Sequence, residues 1–234
     1  MPEEMATASR TPLSRQRVLQ AAVALADAGG LGSLTMRKIA AELGVEAMSL
    51  YHHVKNKDDI LDGIIDVVAA EIDISGEIDM SGGRGDPEER GWKSATRLRA
   101  VSAQKVLSRH PWAGMLWVSR LNLGPARMRY MDVALATFRN GGLSEDLTHH
   151  AYHVVENHVL GYTLQLLSFG ADMDDLAELG DQFLRELPED DYPDLALHVR
   201  QHLVEPLESE ETEFDFGLRL ILDGIERIHH SMSS

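Results

Sequence analysis

The chain has 234 residues, no cysteine, and a formal charge of −16 from 22 Lys plus Arg against 38 Asp plus Glu. Disulfide scaffolds and cysteine-ligated zinc or iron–sulfur centres are thereby excluded, and 44% hydrophobic with 26% charged residues excludes disordered and collagen-like classes. No window reaches the ~18 uninterrupted apolar residues of a membrane span, and MPEEMATASRTPLSRQR is no signal peptide, so a soluble cytoplasmic protein with no membrane partner is expected.

Nearly every long segment carries apolar residues at helical period and none alternates like a strand, so the expected fold class is all-α. A first helix over 14–28 gathers Val18, Ala21, Ala22, Leu25 and Ala26 on one face, between Pro12 and the stop signal Gly29-Gly30. Thr35 is placed to cap a second helix whose inward positions are Ile39, Ala40 and Leu43, and Gly44 ends it. A third, very short helix over 46–53 is anchored by Leu50. A fourth starts near Lys57 with Asp58 and Asp59 in its first turn and buries Ile60, Ile64, Val68 and Ile72. Residues 75–91, rich in Gly and charge, read as a linker. Further helices are expected at 90–109, 125–140, 144–169 and 214–230. The stretch 172–194, with ten acids and one Arg, and the stretch 205–215, with six acids and no base, read as solvated, mobile acidic segments.

Charge is distributed unevenly over these elements. Residues 9–57 hold Arg10, Arg15, Arg17, Arg37, Lys38, Lys55 and Lys57 against Asp27, Glu42 and Glu46, a balance of +4 that leaves −20 for the remainder. A net negative chain is a poor polyanion ligand overall, but this asymmetry points to a small nucleic-acid-binding head on an acidic body. Helix, tight turn and short helix is also the helix-turn-helix arrangement, in which the second helix enters the major groove while the first braces it. Ala40 is small where the helices cross, Gly44 takes up the turn, and Leu50 points back to lock the second helix.

The run Leu34-Thr35-Met36-Arg37-Lys38-Ile39-Ala40-Ala41-Glu42-Leu43-Gly44-Val45, followed by Ser49-Leu50-Tyr51-His52-His53-Val54-Lys55-Asn56-Lys57, resembles the DNA-binding head of the TetR family of bacterial repressors. Tyr51-x-His53-x-Lys55-x-Lys57 is similar to the tetracycline-repressor branch, and Phe214-x-Phe216-Gly217-Leu218 with Leu222-Asp223-Gly224 looks like its last helix. The resemblance is specific over some fifty residues and diffuse over the body. It implies an N-terminal three-helix helix-turn-helix head, residues 10–58, and a C-terminal helical effector-binding and dimerisation body, residues 59–234. It further implies that Thr35, Tyr51, His53 and Lys57 meet phosphates while Arg37, Ala47, Met48, Ser49 and His52 face or approach base edges. Hydroxyls and ammonium groups suit phosphate oxygens, whereas Arg37 suits guanine and the apolar Ala47 and Met48 suit thymine methyls.

One head covers one half-site, so a homodimer on a palindromic double-stranded DNA operator is expected. Phe214, Leu218, Ile221, Ile225 and Ile228 recur at spacings of 4, 3, 4 and 3 and form the candidate dimer seam, unless that seam packs inside its own subunit. Trp112, Met115, Leu116, Trp117, Met128, Met131, Phe138, Tyr152, His153 and Tyr162 are the candidate lining of a small-molecule effector pocket. The tetracycline repressors hold magnesium and drug through a histidine and a glutamate; the matching positions here are Asn122 and Gln165, so a different, unidentified effector is expected. His149, His153 and Glu156 on one face leave a metal-responsive repressor as the alternative, with a helical enzyme using the histidines as acid–base groups behind it. No cofactor and no catalytic residues are assigned: there is no G-x-S-x-G elbow, phosphate-cradling glycine loop, H-E-x-x-H motif or cysteine nucleophile.

Overall fold

The computed structural model describes residues 12–74, 91–168, 176–204 and 211–232, and every regular element among them is helical. In chain order these are α1 (Arg15–Gly29), α2 (Met36–Leu43), α3 (Ala47–Leu50), α4 (Lys57–Ala69), α5 (Trp92–Arg109), α6 (Ala113–Ser119), α7 (Pro125–Asn140), α8 (Glu145–Ser168), α9 (Leu176–Glu186), α10 (Pro193–Val199) and α11 (Glu213–Met232). Two compact units divide the chain, Met1–Gly141 and Gly142–Ser234. The expected linker, but for Gly91, lies outside the described residues.

Local chemistry sets the ends of the first helices. Ser14 Oγ accepts the Arg17 amide at 3.3 Å, Thr35 Oγ1 the Lys38 amide at 3.2 Å, and Asn56 Oδ1 the Asp59 amide at 2.9 Å, so each start satisfies an otherwise orphan N–H. Gly44 closes α2 at φ 63° and ψ 37°, a left-handed conformation that L side chains avoid, and the Val45 amide then reaches Ala40 O at 3.0 Å. The buried face of α1 (Val18, Ala22, Ala26) meets Ile39 and Ala40 of α2, and Leu50 and Val54 complete this core. The regular part of α3 covers only Ala47–Leu50, shorter than the expected 46–53. From Tyr51 to His53 each amide reaches the carbonyl three residues back, which tightens the coil into turns.

Helix α4 joins this head to the remainder of the first unit, packing against α1 on one side and α5, α6 and α7 on others. Its acids face donors from several elements. Arg120 donates to Asp58 at 2.7 Å and Asp62 at 3.1 Å, Asn122 Nδ2 donates to Asp62 at 2.8 Å, and the Arg127 amide donates to Asp66 at 3.0 Å. A Cβ at Gly124 would stand 2.2 Å from the Asp66 carboxyl carbon, so any side chain there would push that carboxyl off the Arg127 amide. At the other end, Asp27 of α1 accepts from Trp112 Nε1 at 2.7 Å and lies 2.8 Å from His110 Nδ1.

In the second unit α8 packs along α11, and α9, α10 and a π-helical turn at Arg200–Val204 pack on one another. Of the expected acidic segments, 172–175 and 205–210 lie outside the described residues; the rest of 172–194 is mostly exposed, as expected, but it is helical, containing α9 and the start of α10. Helix α9 is strongly amphipathic, with Leu176, Leu179, Gly180, Phe183 and Leu184 at helical spacing among the acids, a signal that charge counting passed over. Gly180 is buried, and a Cβ there would stand 3.0–3.1 Å from Val204 and Leu203, tight enough that the neighbours would have to give way.

Two outcomes follow. Gly44→Ala forces an alanine into the left-handed region and is expected to lower stability by about 1–2 kcal/mol, read from the urea midpoint at unchanged slope. Asp59 accepts both Arg15 terminal nitrogens, at 2.6 and 2.9 Å, and the Lys55 amide at 2.8 Å, and the guanidinium bond holds its carboxyl below the ordinary value. The depressed folded value means a contribution complete above the unfolded carboxylate value of about 3.9 and lost as pH falls through the lower folded one. With side chains 45% and 22% exposed, that contribution is screened to about 1 kcal/mol or less. Asp59→Asn should therefore unfold more easily at neutral pH, and its difference from wild type in chemical denaturation should vanish at low pH.

Candidate nucleic-acid interface and effector body

The head presents one chemically coherent face. Thr35 stands exposed at the start of α2 with Arg37 exposed in its first turn. On α3 and the turns after it, Ala47, Ser49 and His53 are half-buried, while Met48, Tyr51, His52, Lys55 and Lys57 are exposed. Met48 is 71% exposed, which is the wrong place for a core methionine and the right one for an apolar contact with a partner. Tyr51 is 48% exposed, so the ring is not spent on the core either. The face is carried by the fully buried Leu50 beneath it.

Sequence reasoning missed what fixes the exit of this helix. Besides gripping Asp59, Arg15 Nη1 donates to His53 O at 3.2 Å, and Asp59 holds the Lys55 amide. The turn carrying His53, Lys55 and Lys57 is thus tied to the starts of both α1 and α4. The signal was an Arg at a helix start and an Asp in another helix's first turn, but nothing along the chain says that 44 residues apart they meet.

The candidate effector residues separate by unit. Trp112, Met115, Leu116, Trp117, Met128, Met131 and Phe138 belong to the first; Tyr152, His153 and Tyr162 belong to the second. Trp117 and Phe138 are buried, Trp117 edge-on to Tyr130 at 5.6 Å and Phe138 tilted against Trp92 at 5.8 Å. Trp112 is buried and held to Asp27, and Leu116 is buried with it, whereas Met131 is half-buried and Met115 and Met128 are exposed. In the second unit Tyr152 and Tyr162 are half-buried and His153 is exposed. Burial and the nearby Glu213 and Asp215 carboxylates push the Tyr162 phenol up, so it stays a neutral donor. Asn122, at the position matched to the magnesium-binding histidine, spends its amide on Asp62.

The metal-responsive alternative gains no support. His149 and His153 lie with ring centroids 4.6 Å apart on the exposed side of α8, but Glu156 is buried, and among the described residues no group of three His, Asp or Glu side chains could hold a metal ion. The dimer seam is corrected as well. Phe214, Leu218 and Ile225, with the unanticipated Leu222, are buried within their own unit, where α11 packs on α8. Phe214 stacks on His158 at 4.9 Å, His158 Nε2 donates to Phe214 O at 2.9 Å, and Gly217 lets this ring approach, since a Cβ would lie 2.6 Å from it. Ile221 is half-buried, and of the expected set Ile228 alone is exposed, joined by Phe216 and Leu220.

Comparison with known proteins agrees with this geometry. Residues 18–64 match the profile of bacterial regulatory proteins of the tetR family, and residues 84–228 match the tetracyclin repressor-like C-terminal domain. The chain is 33% identical over 222 residues to the HTH-type transcriptional repressor DrrR1 of Streptomyces coeruleorubidus, covering 92% of this chain and 77% of that one. It is 28% identical to the class D tetracycline repressor protein of Escherichia coli over 86% of this chain and 91% of the other. Among solved structures, apo ActR of Streptomyces coelicolor superposes with a TM-score of 0.71 at 26% identity, covering 95% and 99% of the two chains. ActR in complex with actinorhodin gives a TM-score of 0.72, also at 26% identity, over 94% of this chain and 98% of that one. A helix-turn-helix head with an exposed reading face, followed by a helical body that matches the C-terminal profile, fits one family throughout: this chain belongs to the TetR family of DNA-binding transcriptional regulators.

Proposed function

We propose that the protein is a repressor that binds a palindromic double-stranded operator as a homodimer and is released by a small organic effector held in its body. The head is residues 10–58 and the effector-binding and dimerisation body residues 59–234. The exposed set Thr35, Arg37, Met48, Tyr51, His52 and Lys57, mounted on the buried Leu50, is the observation that carries DNA recognition. Thr35, Tyr51, His53 and Lys57 position the head on phosphates, while Arg37 and the apolar Ala47 and Met48 read bases together with Ser49 and His52.

Two recognition helices about 34–36 Å apart require a second copy. The faces that α8 and α11 do not use on each other are suited to it. Phe216, Leu220 and Ile228 on α11 are each about half exposed, Val154 on α8 is 41% exposed, and Gly161 and Gly224 have open space where a Cβ would stand. Exposed apolar side chains beside side-chain-free helix surface are what a close helix–helix interface needs.

That related ActR is seen with bound actinorhodin supports a body that holds a small molecule. Asn122 and Gln165 supply no magnesium-binding pair, so the effector is one other than a magnesium–tetracycline complex. Release needs no more than differential affinity: an effector preferring the conformation that cannot span both half-sites withdraws protein from DNA.

Selection from a random duplex pool, with mass measured in solution, should yield a dyad-symmetric site bound by two chains; a monomer retaining no preferred sequence would refute the reading. On the selected operator, Tyr51→Ala should weaken binding to all sequences alike, whereas Arg37→Ala should cost about 1–3 kcal/mol and relax one base pair of each half-site. Leu220→Asp combined with Ile228→Glu should give a folded monomer of unchanged helicity, because neither side chain is buried within its own chain.

A further inference from the structure

Helix α5 carries a cation in its inward register. Trp92, Thr96, Arg99, Ala103 and Val106 share its buried face, and Arg99 is 3% exposed. A guanidinium offers five donors and keeps its charge, so burial obliges it to find acceptors or a counter-charge. Among the described residues Arg99 makes one hydrogen bond, Nη1 donating to Thr137 Oγ1 at 3.4 Å, and no ion pair. The Thr137 hydroxyl donates its own hydrogen bond to Val133 O at 2.8 Å and so offers Arg99 a lone pair without negative charge.

The other buried arginine among the described residues of this unit, Arg127, has more acceptors, though its Nε is buried without one. Arg127 donates to Arg120 O at 3.1 Å and Trp117 O at 2.9 Å, and its guanidinium lies 4.9 Å from the Trp117 ring centroid. Arg99 has no such set. One helical turn before it, on the same face, Thr96 is fully buried and its Oγ1 has no hydrogen-bond partner, although a helical threonine has the carbonyl four residues back within reach. The buried Trp92 and Phe138 rings belong to the same helix pair.

We propose that Arg99, Thr96 and Thr137 form the polar end of the effector site, and that this end takes the carboxylate, or a comparable anionic oxygen, of an organic acid with an apolar body. The acid supplies the counter-charge that Arg99 lacks and accepts the hydrogen bond that the Thr96 hydroxyl has no partner for, while Phe138 and Trp92 line the apolar side. The inference rests on the reading that the body holds an effector, and it narrows that effector to an acid.

Binding of acetate, benzoate and 2-naphthoate to the full-length wild-type protein, measured by calorimetry without DNA, tests it against methyl 2-naphthoate as the uncharged control. At least one acid should bind, and Arg99→Met should weaken it about ten- to a hundredfold, the loss of a charge-assisted hydrogen-bond pair, with the ester unaffected. Thr96→Val, nearly isosteric, should weaken the acid more modestly and serves if the arginine variant does not fold. Without ligand, Arg99→Met should melt no lower than wild type, because removing a buried cation with no counter-charge outweighs the loss of its one long hydrogen bond to Thr137. Three results would overturn the proposal: no acid binds wild type, acid and ester bind equally, or neither Arg99→Met nor Thr96→Val alters acid affinity. Operator binding of the ligand-free wild type, measured alongside, separates these results from failure of the repressor reading itself.

Discussion

The geometry of the first unit depends on the row of carboxylates along α4. Asp58 and Asp62 accept from Arg120, Asp62 from Asn122, Asp66 from the Arg127 amide, and Asp59 from Arg15 and the Lys55 amide. Individually these half-exposed pairs contribute little to stability. Their effect is positional, since one helix receives hydrogen bonds from the start of α1, from the turn after α3, from the segment between α6 and α7 and from the first turn of α7. Five donors on a single rigid rod leave few ways for one partner to shift without the others.

The same carboxylates account for part of the acid excess that at first argues against a DNA-binding role. Asp59 neutralises Arg15 in the head, but Arg37, Lys55 and Lys57 remain exposed on the reading side. Nucleic-acid affinity depends on cations that meet phosphates, not on the sum over the chain. A segment 9–57 at +4 and a remainder at −20 therefore coexist in one polypeptide.

In the second unit, apolar surface is divided between internal and external use. Phe214, Leu218, Leu222 and Ile225 are spent on α8, with His158 and Gly217 fixing how closely the two helices approach. Phe216, Leu220 and Ile228 are left outside. A single amphipathic helix can thus serve a core and an interface, and its apolar periodicity does not say which stripe does which.

The sequence by itself determined the all-helical class, the N-terminal caps of α1, α2 and α4, the stop of α2 and the buried anchor of α3. These are local matters: Ser14, Thr35 and Asn56 bond to amides three residues on, Gly44 meets a backbone requirement at its own position, and the Leu50 anchor follows from one short helix. Acid counting misread α9, because charge on the outer face of an amphipathic helix hides the apolar residues spaced between. Tertiary structure alone decided that Arg15 grips Asp59, that Asn122 turns to Asp62, that Phe214, Leu218 and Ile225 of the α11 seam face inward while Ile228 does not, and that Arg99 is buried without a counter-charge. Each depends on which of several available faces or donors a distant element meets, and helical period fixes only the angle between residues, never the partner that covers them.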